Sequence, residues 1–171
     1  IADSMGPVPK IEETYDPKSK EHILAGTFPK EPDLIKEMDG VAKVLEKHGV
    51  KVYRPENISE LNQIFVRDIA FVIQDKLVVP CVTPERKLES DGIQYVIDEV
   101  ENVLLPEEHE RMEGGDVMPW RDHIFVGYSK AEDFDKYTVS RTNEAAVNYL
   151  KRTFPDFTVK AFELKKSDDD P

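Results

Sequence analysis

Hydrophobic and polar positions change period several times along this chain, and each change marks an element. Over residues 31–49 the apolar Leu34, Met38, Val41 and Leu45 recur at helical spacing, with Pro32 near the start and Gly49 at the stop. This predicts an amphipathic helix packed on a sheet, with His48 suited to the negative end of its dipole. Residues 50–53 read as the strand that follows. Residues 63–73 and 77–82 are apolar runs joined by the polar turn Gln74-Asp75-Lys76, a hairpin by pattern. In that strand Arg67 and Asp68 would face opposite ways and not neutralise each other. Residues 84–99 predict a helix with Leu88, Tyr95 and Val96 on its buried side, and 103–106 a short strand. A charged approach over 107–110 leads to a second strand, tight turn and strand over 117–127. After a polar connection at 133–139, Thr142 or Asn143 caps a helix carrying Ala145, Ala146, Tyr149 and Leu150, which Pro155 stops. Residues 157–162 alternate as a last strand.

Two stretches therefore share one order: hairpin (64–82), helix, strand (103–105), then hairpin (116–126), helix, strand (157–162). This is a candidate internal repeat of β-β-α-β type. Residues 1–30, rich in acids and prolines, read as an extended leader. Residues 31–164 form the folded part, and 165–171 a polar loop or cleavage site with no fold of its own.

The chain has 171 residues with 39% hydrophobic content, enough for one domain with a real core. Its longest apolar runs are strand-sized and far short of a membrane helix. Twenty-three basic against 35 acidic residues give a net charge of -12, which repels phosphate backbones and acidic lipid surfaces. Nucleic acid and membrane are thus poor partners, while a small cationic substrate is compatible. Cys81 is the single cysteine, so neither an internal disulfide nor a cysteine zinc cluster can form within the chain. That favours a reducing, cytoplasmic compartment, although Ile1 in place of an initiating Met reads as a trimmed or processed start.

The stretch with most chemistry is Arg111-Met112-Glu113-Gly114-Gly115-Asp116-Val117. Paired glycines permit positive φ and close approach of another group, so Glu113 and Asp116 can be aimed from a bend into one cavity. A plain acidic turn has the same residues. Asp68 lies inside an apolar run, where a carboxylate needs a partner or a strand-end ion pair. Arg141 sits just ahead of a helix N-terminus, which gives a cation no favour, so it is either an anion binder or an exposed loop residue.

Taken in order, Phe65-Val66-Arg67-Asp68, Arg86, Glu113-Gly114-Gly115-Asp116-Val117, Phe125-Val126-Gly127 and Ser140-Arg141-Thr142-Asn143 resemble the guanidino-group-modifying enzymes: arginine deiminases, dimethylarginine dimethylaminohydrolases and amidinotransferases. The resemblance covers most of residues 50–162. It implies a pentein-type α/β propeller of β-β-α-β repeats, with about the first half of the propeller in this chain. It also implies a hydrolase acting on the guanidino or ureido group of an arginine- or citrulline-like amino acid through a cysteine intermediate, or an amidinotransferase. Asp68 resembles the carboxylate that grips the guanidinium, Glu113 the catalytic carboxylate beside the acid-base histidine, and Asp116 its supporting neighbour with Gly114 and Gly115. Arg86 and Arg141 resemble the arginines that bind the substrate α-carboxylate. This agrees with the preference of guanidinium forks for carboxylates, and suggests an acidic end and a basic end set an amino acid's length apart.

The family's nucleophilic cysteine and its histidine lie in later segments with no counterpart here. Cys81, read as a buried thiol in a hairpin strand, does not match the nucleophile, and His22, His109 and His123 do not match the histidine. The expected partner is the C-terminal remainder of the same enzyme, as a separate chain or missing segment, with a homo-oligomer left open. Alone, such a piece would leave strand edges unpaired and is not expected to be independently stable. A non-catalytic guanidinium-binding module is the reading from another class. No cofactor or metal is expected, since hard cations want six or more oxygen ligands and three acids with arginines nearby suit a guanidinium better.

Overall fold

Two three-stranded sheets and one amphipathic helix carry the core. The computed structural model describes residues 6–14, 16–137 and 140–165. The first five residues of the leader, the end of the 133–139 connection and the tail from 166 onward lie outside the described residues. The chain divides into two units: one takes the described residues up to Val66 with Leu88–Glu99, the other Arg67–Lys87 with those from Val100 on.

Both sheets belong to the second unit. In the first, β1 (Phe71–Ile73) pairs antiparallel with β2 (Lys76–Val78), which pairs parallel with β3 (Val103–Leu104). In the second, β4 (Val117–Trp120) pairs antiparallel with β5 (His123–Tyr128), which pairs parallel with β6 (Thr158–Glu163). The strand order and sense of pairing are the same in both. Each hairpin closes through two residues, the first at positive φ: Gln74 at 57° and Arg121 at 55°. Alternation sends Val117, Ile124 and Val126 to one face, where all three are fully buried.

The helix over that face is α6 (Glu144–Thr153), which buries Ala146, Val147, Tyr149 and Leu150. Asn143 caps it, its side-chain oxygen accepting the Ala146 N–H at 3.0 Å. Glu144 in the first turn and Lys151 and Arg152 in the last suit the dipole. Phe71, Ile73, Val78, Met112 and Phe154 complete the same cluster. Each such side chain removed from water contributes roughly 1.5–3 kcal/mol.

Within the charged approach over 107–110, Glu110 turns inward. It is buried, bonded to the Arg152 guanidinium and, at 2.9 Å, to the backbone N–H of Glu107, while Arg152 lies over the Tyr149 ring. Burial pushes this carboxyl up, but the Arg152 and Glu107 hydrogen bonds and the Arg152 charge outweigh it and carry it below its ordinary 4.5. A depressed carboxylate adds stability that is present above the unfolded value and lost as pH falls through the folded one. Glu110→Gln is therefore expected to flatten the decline of denaturant stability below about pH 4.5. An unchanged acid limb would show that the pair contributes nothing.

Several expectations fail for identifiable reasons. The leader is not simply extended, since Asp16 caps α1 (Pro17–Leu24) by accepting the Ser19 N–H at 2.7 Å. The helix expected over 31–49 is α2 (Glu31–Lys47), with Gly49 at φ 77° after it, but it buries only Ala42 among the described residues and its unit contains no sheet. For the same reason residues 50–53 form no strand: extended propensity makes a strand only where a ladder partner exists. The run over 63–73 is a strand only from Phe71. Before it comes α3 (Val66–Ile69), a single helical turn. The helix over 84–99 is a 3-10 helix at Pro84–Ile93 and α4 at Gln94–Glu99. Its tighter period turns Leu88 outward, 59% exposed, and Glu89 inward. The connection after Ser129 contains α5 (Ala131–Lys136).

Candidate functional site

The site residues lie within the second unit, and the local structure around them begins with the glycine pair. Gly114–Asp116 form one 3-10 turn between Glu113 and β4. Neither Gly114 nor Gly115 takes a positive φ. Both are required by close approach instead. A Cβ on Gly114 would fall inside the contact distance of the Arg67 carbonyl oxygen and 2.8 Å from Phe71, and one on Gly115 would collide with the Asp68 carboxylate. The turn thereby packs against α3, and the Gly115 N–H donates to Asp68 Oδ1 at 3.1 Å. Arg67 fastens the same turn from its other end, donating to the Val117 carbonyl at 2.6 Å with its guanidinium 5.3 Å from the Phe71 ring centre. Arg67 and Asp68 thus serve different partners.

Four charged side chains then alternate. Arg86 Nη1 donates to Asp68 Oδ2 at 2.7 Å and lies 3.2 Å from Glu113 Oε2. Arg141 Nη1 donates to Glu113 Oε1 at 2.8 Å. Glu113 and Arg86 are only 8% and 9% exposed, so each buried charge must find an opposite one. Acids and bases are interleaved in the order Asp68, Arg86, Glu113, Arg141, instead of occupying two separated ends as the sequence suggested.

Thr142 is the contributor that sequence reasoning missed. Fully buried, its hydroxyl donates to Asp116 Oδ2 at 2.6 Å and accepts the Glu113 N–H at 3.2 Å. Asp116 therefore supports Glu113 through Thr142. The only signal in the sequence was a hydroxyl next to Arg141, which reads equally as a helix cap. Thr142→Val keeps the shape but leaves the Glu113 N–H without its acceptor, and is expected to lower stability by roughly 1–3 kcal/mol. Thr142→Ser should restore most of it in a urea melt. Equal loss in both variants would show that packing of the methyl, not the hydroxyl, is what matters.

Other titratable groups lie elsewhere. Cys81 is half-buried, outside β2, bridged to Arg111 and donating to the Glu108 carbonyl at 3.5 Å, so it is neither buried nor in a hairpin strand. His123 pairs with Asp122 at 2.8 Å, His109 with Glu107 at 3.4 Å, and His22 with Thr27 at 3.0 Å. A groove of about 670 Å³ in this unit is lined by Glu107, Glu108, His109, Arg111, Phe134, Asp135 and Asn143, and includes none of the four network residues. Among the described residues no group of three or more His, Cys, Asp or Glu is placed to hold a metal ion, and no helix is long and apolar enough to cross a membrane.

No family model matches the chain, and no curated protein does. Solved structures do. A dimethylarginine dimethylaminohydrolase from Pseudomonas aeruginosa, a cysteine-to-serine mutant complexed with citrulline, superposes with a TM-score of 0.64 at 16% identity, over 82% of this chain and 53% of that one. The N-terminal domain of a cyanobacterial arginine dihydrolase, bound to product, gives 0.63 at 15%, over 80% and 48%. An amidinotransferase of saxitoxin biosynthesis from Microseira wollei gives 0.60 at 16%, over 75% and 47%. The α/β fold described above, with its two small mixed sheets, is thus shared with these structures, and the chain spans about half of their length.

Proposed function

We propose that this chain supplies the guanidinium-gripping part of an enzyme acting on the guanidino or ureido group of an arginine- or citrulline-like amino acid. The nucleophilic cysteine and the acid-base histidine would come from a C-terminal part that is not in this chain. The observation that carries the reading is that Asp68 and Glu113 each already hold a guanidinium, those of Arg86 and Arg141. A pair of carboxylates that accepts two guanidinium groups at hydrogen-bond distance is complementary to a third. On this reading the substrate guanidinium takes the place of the arginine side chains at Asp68 and Glu113. Arg86 and Arg141, displaced, turn to the substrate α-carboxylate.

The chemistry follows the pattern of covalent catalysis. The thiolate forms a bond to the guanidinium carbon, and the histidine gives its proton to the departing amine as that C–N bond breaks. Water then adds to the thiouronium carbon, giving a proton back to the imidazole, and sulfur leaves as thiolate, so the net reaction is hydrolysis. Glu113 holds the substrate nitrogen and the positive charge of the histidine, and the Asp116–Thr142 pair fixes where Glu113 stands. An amine in the place of water gives an amidinotransferase, and the likeness to one over 75% of the chain gives that second reading the same kind of support. The matched strand order of the two sheets supports reading them as successive blades of a five-bladed propeller, with residues 31–164 as its N-terminal part.

The first test is the intact mass of the native protein followed by denaturing mass spectrometry. A second polypeptide or longer chain carrying a late cysteine is expected, with ammonia or urea released from arginine or citrulline, or amidine transfer to an added amine. A 19.6 kDa chain alone, folded and without turnover, would replace this reading by a binding module.

A further inference from the structure

The sheet β4-β5-β6 has a second face. Register partners point the same way, so Trp120, His123 and Thr158 form one rung, Met118, Phe125 and Lys160 the next, and Gly127 and Phe162 a third. Opposite the buried Val117, Ile124 and Val126, this face leaves Trp120 64%, Met118 60% and Phe162 53% exposed. The aromatic rings are already ordered against one another. His123 stacks on Phe125 at 5.8 Å and 12°, and Phe125 on Phe162 at 6.3 Å and 27°. Isolated exposed apolar residues are ordinary, but an apolar patch that fills β4 and β5 and reaches Phe162 on β6, with Thr158 and Lys160 at its rim, marks a contact surface. A parallel pair such as β5 and β6 is also normally covered on both faces.

The patch leads to the site. On the face shared by Phe125 and Gly127, a Cβ at Gly127 would lie 2.7 Å from Leu164 and 3.7 Å from Asp116 Oδ1. Asp116 is the residue that Thr142 links to Glu113. Whatever covers the aromatic rungs therefore arrives beside the carboxylate network.

We infer that this face docks the polypeptide that completes the enzyme, the part carrying the thiol and the imidazole, through an apolar sheet or helix face of its own. The inference rests on the functional reading above. Two facts select this occupant over others: the chain spans only about half of the structures it superposes on, and the patch runs up to the network that lacks a nucleophile. Packing on these rungs would both bury the aromatic face and bring the missing groups to Glu113.

Trp120 is the only tryptophan in the chain, so it reports on this face directly. The experiment uses the native protein isolated with whatever polypeptide accompanies the chain, with the Trp120→Phe protein subtracted to isolate the Trp120 emission. Trp120 is expected to be shielded from acrylamide in the native protein and opened severalfold on denaturation, with turnover of arginine or citrulline in the same sample. Trp120→Ala is expected to weaken association of the two parts by roughly 10-fold or more, as for a central aromatic of an interface. Turnover with Trp120 open to quencher overturns the docking inference and leaves the catalytic reading standing. A shielded Trp120 with a second polypeptide but no turnover supports the docking face and overturns the catalytic reading. Shielding that vanishes on dilution of a sample containing only this chain overturns the inference in favour of a second copy.

Discussion

On the proposed reading, Glu113→Gln in the completed enzyme is expected to lower kcat by roughly 10²–10⁴-fold, the range for removing a group that supports proton transfer. The carboxylate is held from two sides, by Arg86 at 3.2 Å and Arg141 at 2.8 Å, and through its backbone by Thr142. An amide in its place keeps the size but loses the charge that would hold both the substrate guanidinium and a protonated histidine. Asp68→Asn is expected to act differently. Its Oδ1 is occupied by the Gly115 N–H and its Oδ2 by Arg86, and in the proposed role of gripping the substrate its loss should raise KM with a smaller change in kcat. Both variants lose charge-assisted bonds and should also melt earlier, so kinetics belong below the lowest melting temperature of the set. Glu113→Asp provides the control, keeping the charge while withdrawing it from both arginines. If Glu113→Gln changes only KM, Glu113 grips the substrate and takes no part in the chemical step.

The legibility of this chain follows the range of the forces involved. The second hairpin was readable because its alternation, tight turn and following helix are all local, and β4, β5 and α6 fall close to where the pattern puts them. The helical turn at Val66–Ile69 was not readable. An apolar run with β-branched residues reads as strand, and what bends it is the demand that Asp68 meet Gly115 and Arg86, 47 and 18 residues away. The burial of Glu110 was not readable for the same reason, since its partner Arg152 is 42 residues on and nothing nearby in the sequence foretells it. The acids and arginines were legible as residues through their motifs. Their interleaving was not, because which arginine meets which carboxylate is set by how α3, the glycine turn and the start of α6 pack, and none of those contacts is local.

The glycine pair allows the two reasons for glycine to be separated by experiment. Had positive φ been the requirement, both Gly114→Ala and Gly115→Ala would be strained alike. Neither residue takes a positive φ, so the cost depends on what a methyl group meets. At Gly114 it meets the Arg67 carbonyl oxygen and the Phe71 ring. Backbone and core cannot give way without moving α3 or β1, and overpacking of this kind costs roughly 1–3 kcal/mol, occasionally more. At Gly115 it meets the Asp68 carboxylate. A side chain can rotate aside, but only by releasing the Gly115 N–H and the Arg86 guanidinium. Gly114→Ala is therefore expected to lower the urea midpoint clearly, and Gly115→Ala to keep more of its stability while substrate affinity falls as it does in Asp68→Asn. Combining Gly115→Ala with Asp68→Asn should then give little further loss of affinity, because the two changes remove the same grip. Full additivity would mean that the Gly115 turn and Asp68 act on the substrate independently, and would sink the account of the turn as the support that aims Asp68.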